Sequence, residues 1–115
     1  MKSKVTDYEN ISVFSQAPAE CKHHLISGEG LRKLADIDGL WIPLTNAEHN
    51  MSPYGKLYQI HENPPAMKLS KMFGQAVWMM NRLAEHLEKN AIGNDKYWIE
   101  QVREEFRDRY GISYF

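Results

Sequence analysis

Apolar residues gather in short clusters over the first half of the chain and recur at helical spacing over the second. The strongest cluster, Leu40 to Leu44 (LWIPL), predicts a β-strand. Pro43 marks it as an edge or terminal position, because proline donates no ladder hydrogen bond. Cys21 to Ile26 predicts a partner strand, and Ser27 to Gly30 (SGEG) a turn in which two glycines supply positive φ. Ile11 to Phe14 is β-prone but soon broken by SQAPAE, and Met1 to Asn10 is polar, a loose start or an edge segment. Leu31 to Asp38 reads as a loop or one helical turn. Thr45 and Glu48 stand at capping-box spacing, so a helical turn begins at Asn46 and carries His49. Pro53 and Gly55 break that turn, and residues 61–65 (HENPP) are extended or turn-like, since residues before proline avoid the helical region.

A long helix is expected from about Pro65 to about Asn90. Leu69, Met72, Phe73, Ala76, Met80, Leu83 and Leu87 form its apolar stripe. Gly93 supports a stop, and Asn94 or Asp95 a cap for a final helix to about Tyr110. That helix would turn Ile99, Val102 and Phe106 inward and end at Gly111. The elements define an α+β class, and 115 residues suit one domain, 1–115, with a small core that a metal or a second subunit would support. Trp78, Trp98, Phe106 and Tyr110 leave two roles open, completion of the core or a homodimer face through the C-terminal helices.

Cys21 is the single cysteine, which rules out an intrachain disulfide and a Cys-rich zinc knuckle; it reads as a small buried residue. No run of about 18 apolar residues predicts a membrane span. The N-terminus lacks the apolar core of a signal peptide, so the expected location is cytoplasmic. A net charge of −1 argues against a strongly basic nucleic-acid coat protein. A local patch is enough for a nucleic-acid enzyme, and from His49 to Arg82 the basic residues Lys56, Lys68, Lys71 and Arg82 face only Glu62.

The five histidines carry the candidate chemistry. His23 and His24 are neighbours on an extended segment and point to opposite faces, so one can face a metal and the other a substrate. His49 and His61 come from later elements that folding would bring back to the pair. Such a set suits metal-assisted phosphodiester hydrolysis. An ion stabilises charge on the phosphate and the leaving oxygen, and a neutral imidazole takes a proton from water. His86 reads as a lone residue on the exposed side of the long helix, and Met67, Met72, Met79 and Met80 as core filler.

Five motifs follow in order: Cys21 to Leu25 (CKHHL), Arg32 to Leu34 (RKL), Gly39 to Leu44 (GLWIPL), His49 to Pro53 (HNMSP) and Ile60 to Asn63 (IHEN). Together, over about residues 20–78, they resemble the HNH endonucleases, also called ββα-metal or His-Me finger nucleases. The resemblance is closest to the small HNH-like proteins of phages and prophages. It implies a ββα-metal core with a β-hairpin, followed by two C-terminal helices over about 65–110. It implies that His24 is the general base, that His23 and His61 are metal ligands, and that His49 is a further ligand or orients the base and the phosphate. Asn50 and Asn63 would touch phosphate or the ligands, and Arg32, Lys33, Lys68 and Lys71 would neutralise phosphate. One divalent ion is implied, Mg²⁺ or Mn²⁺ with Zn²⁺ as the alternative; an all-imidazole set suits a softer ion than Mg²⁺. Thr45 and Glu48 stand where many members carry paired cysteines, so no structural zinc is expected. The implied activity is metal-dependent cleavage or nicking of DNA. The alternatives are an inactive HNH-fold module of phage origin that binds DNA or protein, and a helical protein with scattered histidines.

Overall fold

A computed structural model describes residues 1–89 and 95–115, with the backbone alone for 95–97. The order is β1 (Cys21–His24), α1 (Leu31–Ile37), β2 (Trp41–Leu44), α2 (Asn46–His49), a 3₁₀ turn (Lys56–Tyr58), α3 (Pro64–Lys89) and α4 (Asp95–Tyr110). This is an α+β fold, a two-stranded antiparallel hairpin with helices. Cys21 pairs with Leu44, Lys22 with Pro43, His23 with Ile42 and His24 with Trp41. The expected stop at Gly93 and cap at Asn94 lie outside the described residues. No helix among the described residues is long and apolar enough to cross a membrane.

Residues 1–10 follow the edge reading. Ser3 Oγ donates to Trp41 O at 2.7 Å, Lys4 N to Gly39 O at 2.8 Å, and Trp41 Nε1 to Met1 O at 3.0 Å. Gly39 (φ 73°) permits this approach, because a Cβ there would collide with the Lys2 carbonyl oxygen. The β-prone segment at Ile11 makes only an isolated bridge to Pro18. Leu31 to Asp38 is more ordered than the sequence implied. It forms a seven-residue helix that buries Ala35 completely and ends with Asp38 N donating to Leu34 O.

α2 is held as its sequence predicts. Glu48 N donates to Thr45 Oγ1 at 3.2 Å, and Thr45 N donates back to Glu48 Oε1 at 2.8 Å. Buried Ser12 adds a 2.6 Å hydrogen bond to the same Glu48 oxygen, so the N-terminal loop fixes the helix that carries His49.

α3 has the expected extent but not the expected inner face. Leu69, Phe73, Met80 and Leu87 are exposed, whereas Ser70, Gly74, Gln75 and Met79 are buried. The reason is close approach. A Cβ on Gly74 would sit 2.9 Å from Ile26 Cγ1 and 3.0 Å from Leu25 Cβ. Small residues therefore let α3 lie against the chain leaving β1, and bulk turns outward. Gln75, fully buried, receives Tyr114 N on Oε1 at 2.6 Å and donates to Ser113 Oγ at 3.0 Å, which ties down the C-terminal residues.

On α4, Val102 and Phe106 are buried as expected, while Ile99 is exposed. Phe106 stacks on Tyr110 and meets Trp78 edge-on, so these rings complete the core between α3 and α4. His86 is not alone on a solvent face: its Nε2 lies 2.9 Å from Glu105 Oε2 and its ring lies against Trp98. Asp38 joins α1 to α4, since Arg109 donates to both of its oxygens and the Tyr110 hydroxyl donates to Oδ2 at 2.7 Å. Asp38→Ala leaves the buried Tyr110 hydroxyl without its acceptor and is expected to cost about 1–3 kcal/mol. A urea midpoint unchanged from wild type would contradict this role.

Candidate metal centre

The antiparallel register places His23 and His24 on opposite faces of β1. His23 is fully buried, and its Nε2 lies 2.8 Å from Ser70 Oγ. Ser70 has one hydroxyl proton, and it goes to the Leu25 carbonyl oxygen, an acceptor only, at 2.8 Å. His23 must therefore donate from Nε2–H, and its Nδ1 carries a lone pair. That Nδ1 is buried and has no hydrogen-bond partner among the described residues.

His49 and His61 bring their rings to the same place. The centroids of His23 lie 5.3 Å from each of the other two, and His49 and His61 are 4.4 Å apart. Backbone hydrogen bonds fix this meeting: Ile60 N donates to Glu48 O and His61 N to His49 O at 2.9 Å. Between them, residues 50–59 form a loop braced by Gln59, which accepts from Ser52 N and donates to His61 O. Glu62, at φ 61°, then turns the chain into α3.

One nitrogen from each ring forms a set lying within 4.8 Å of one another. Bonds of about 2.0–2.1 Å to a tetrahedral zinc ion would set such nitrogens about 3.3–3.4 Å apart. Side-chain rotations on the order of 1 Å close the set, and the orphaned lone pair of His23 is the donor a metal requires. The electrostatics agree. Burial, and after it the nearby His49, His61 and His24 rings, lowers His23 from 6.5 to about 3. Burial, followed by His61, Arg32 and His24, lowers His49 from 6.5 to about 4. His61 is lowered by burial and then by Arg32, against an opposing effect of Glu62. The trio is thus uncharged at neutral pH, the form that binds metal.

His49 and His61 open onto a cleft of about 390 Å³ that Lys22, His24, Ser27, Gly28, Arg32 and Asn50 also line. His24 Nε2 lies 2.9 Å from Asp36 Oδ1, and its Nδ1 lies 3.4 Å from Arg32 Nε. Lys22 extends over the Trp41 ring, with Nζ 4.3 Å from its centroid.

Of the residues expected from sequence, His23, His49 and His61 converge, and His24, Arg32 and Asn50 share the cleft that His49 and His61 line. The others stand apart. Asn63 works at the start of α3, where Oδ1 accepts from Ala66 N and Nδ2 donates to Gln59 O. Lys33 lines a separate depression on the α1 side of His24. Lys68 is exposed on α3, and Lys71 extends toward the Tyr114 ring; neither lines the cleft. Sequence reasoning missed Ser70 and the contact of Asp36 with His24. Only a small polar residue inside an apolar helix pattern hinted at the first. Cys21 is half-buried, with Sγ 3.5 Å from Leu44 O.

No protein-family model, curated protein or solved structure matches the chain, so its own geometry carries the interpretation of the site.

The depressed histidines link folding to pH. Between 6.5 and about 3 the unfolded chain binds a proton at His23 that the folded chain refuses, so stability falls as pH falls through that window. At pH 5 with chelator, His23 alone is expected to cost about 2 kcal/mol relative to pH 7. Urea unfolding at both values checks it: the loss should shrink by that amount in His23→Leu, and equal losses in the two proteins would refute the burial argument.

Proposed function

We propose that the protein is a metal-dependent phosphodiesterase acting on DNA, an HNH-like nuclease that cleaves or nicks with His24 as general base. The observation that carries this reading is convergence: three neutral imidazole donors meet at one point, and two of them, His49 and His61, face one cleft with a fourth histidine and two cations. The hairpin followed by a helix supports the resemblance to a ββα-metal core.

A divalent ion held by His23, His49 and His61 would supply Lewis-acid stabilisation of charge on the phosphate and the leaving oxygen. Three imidazoles favour Zn²⁺ or another transition ion over Mg²⁺, which prefers oxygen ligands. Arg32 and Lys22 neutralise the non-bridging phosphate oxygens. His24 Nδ1 takes a proton from the attacking water as its oxygen bonds to phosphorus. The P–O bond to the leaving oxygen breaks, that oxygen takes a proton from solvent, and His24 later releases its own to solvent.

Cleavage of supercoiled plasmid with Zn²⁺, Mn²⁺, Mg²⁺ or EDTA tests this reading. The expected result is metal-dependent nicking or linearisation. His24→Ala should lower the rate by about 10²–10⁴-fold and leave zinc affinity unchanged. His49→Ala and His61→Ala should each weaken zinc binding by more than the roughly 10–100-fold typical of losing a ligand's supporting partner. DNA binding without cleavage under every ion would instead select the inactive binding-module alternative, and undiminished cleavage by His24→Ala would remove the base assignment.

A further inference from the structure

Both ring nitrogens of His24 are held from one face of α1. Arg32 and Asp36 stand four residues apart on that helix and therefore project from the same side. Asp36 Oδ1 lies 2.9 Å from Nε2, and Arg32 Nε 3.4 Å from Nδ1. The two contacts have opposite polarity. A carboxylate only accepts, so Nε2 must carry the proton that bridges to Asp36. A guanidinium only donates, so Nδ1 must present its lone pair. His24 is almost buried at 12 % side-chain exposure, which leaves its ring little room to turn. The lone pair lies on the side of the ring held by Arg32, and Arg32 shares the cleft with His49 and His61.

We infer that Asp36 is the positioning residue of His24, fixing the tautomer whose Nδ1 lone pair faces the cleft, and that Arg32 covers this lone pair until an anionic ligand draws it away. The inference rests on the hydrolase reading for its kinetic consequence only. The Arg32 contact is long for a hydrogen bond, and a phosphate oxygen is the better acceptor for a guanidinium. A phosphodiester entering the cleft thus takes Arg32 and uncovers the base in one movement. When water's proton arrives on Nδ1, the ring becomes an imidazolium whose Nε2–H still points at the Asp36 carboxylate, and the new charge forms beside an opposite one.

The test reads the ring directly. In nitrogen-labelled, Zn²⁺-loaded protein at neutral pH, long-range proton–nitrogen correlation shows which ring nitrogen carries the proton, and His24→Gln identifies the signals. Wild type should show a single tautomer protonated at Nε2. Asp36→Ala, on an exposed helix face where alanine does not threaten folding, should show a mixture of tautomers. Its kcat should fall on the order of 10²-fold with KM and zinc affinity unchanged, and Asp36→Glu should recover part of both signals. Addition of a short phosphodiester should shift the wild-type Nδ1 resonance as Arg32 leaves, and this shift should vanish in Arg32→Met. A mixed tautomer in wild type, or a pure Nε2–H tautomer that persists in Asp36→Ala, overturns the inference. The ring measurement needs no turnover. A wild-type protein that cleaves nothing therefore sinks the hydrolase reading, while the tautomer still decides the role of Asp36.

Discussion

The His23 ring sits with no access to solvent, and one hydroxyl decides what it can do. Ser70 spends its proton on the Leu25 carbonyl, so it can only accept from His23, and Nδ1 is left as a buried lone pair. An unsatisfied buried polar atom of this kind costs about 1–3 kcal/mol. The rest of the structure is arranged around that constraint. Ser70 reaches the ring only because α3 approaches the chain leaving β1, and α3 approaches only because Gly74, one turn further on, has no side chain. Larger residues on this face would push the helix back and take the hydroxyl out of range.

The other two rings reach the same point by a different device. His49 and His61 are separated by a loop containing Pro53 and Gly55, yet their backbones are hydrogen-bonded to each other. The distance between the rings is therefore set by that pairing, and the length of the loop matters little. The clamp from Ser12 and Thr45 onto Glu48 holds the acceptor side of this arrangement. The Ser52 amide turns inward to Gln59, while Tyr54, Leu57 and Tyr58 turn out to solvent.

What the sequence disclosed follows from this division. Features that depend on neighbours along the chain were legible: the capping box at Thr45, the opposite facing of His23 and His24, the proline-bounded start of α3 and the glycine after Tyr110. Features that depend on close approach were not. Hydrophobic periodicity measures the tendency of side chains to leave water, and by that measure Leu69, Phe73 and Met80 outrank Ser70, Gly74 and Gln75. The fold inverts the order, because a small residue allows contact that a large one prevents. Ile99 fails for a related reason, since the inner face of α4 is set by its neighbours on α3. The contact between Asp36 and His24 spans 12 residues and a turn, with no local pattern to announce it. Lys68 and Lys71 drew attention as charges near a helix start, but the direction in which a helix displays its residues is settled by its buried face.

The protonation of the trio connects the site to the stability of the whole chain. A solvent-exposed histidine competes for its own lone pair with protons near pH 6.5. Here burial has already removed that competition, so the work of deprotonating the ligands is done during folding. The cost appears below about pH 6.5 as reduced stability of the metal-free protein, in a chain of 115 residues whose core is small. An ion that binds the folded trio and ignores the unfolded chain offsets this cost by mass action, in proportion to RT times the logarithm of its saturation ratio. Metal binding at the trio and folding would therefore draw on the same buried nitrogen. Substitutions that make the His23 environment more comfortable, by giving Nδ1 a protein partner, would raise the stability of the apo protein and weaken the site in the same step.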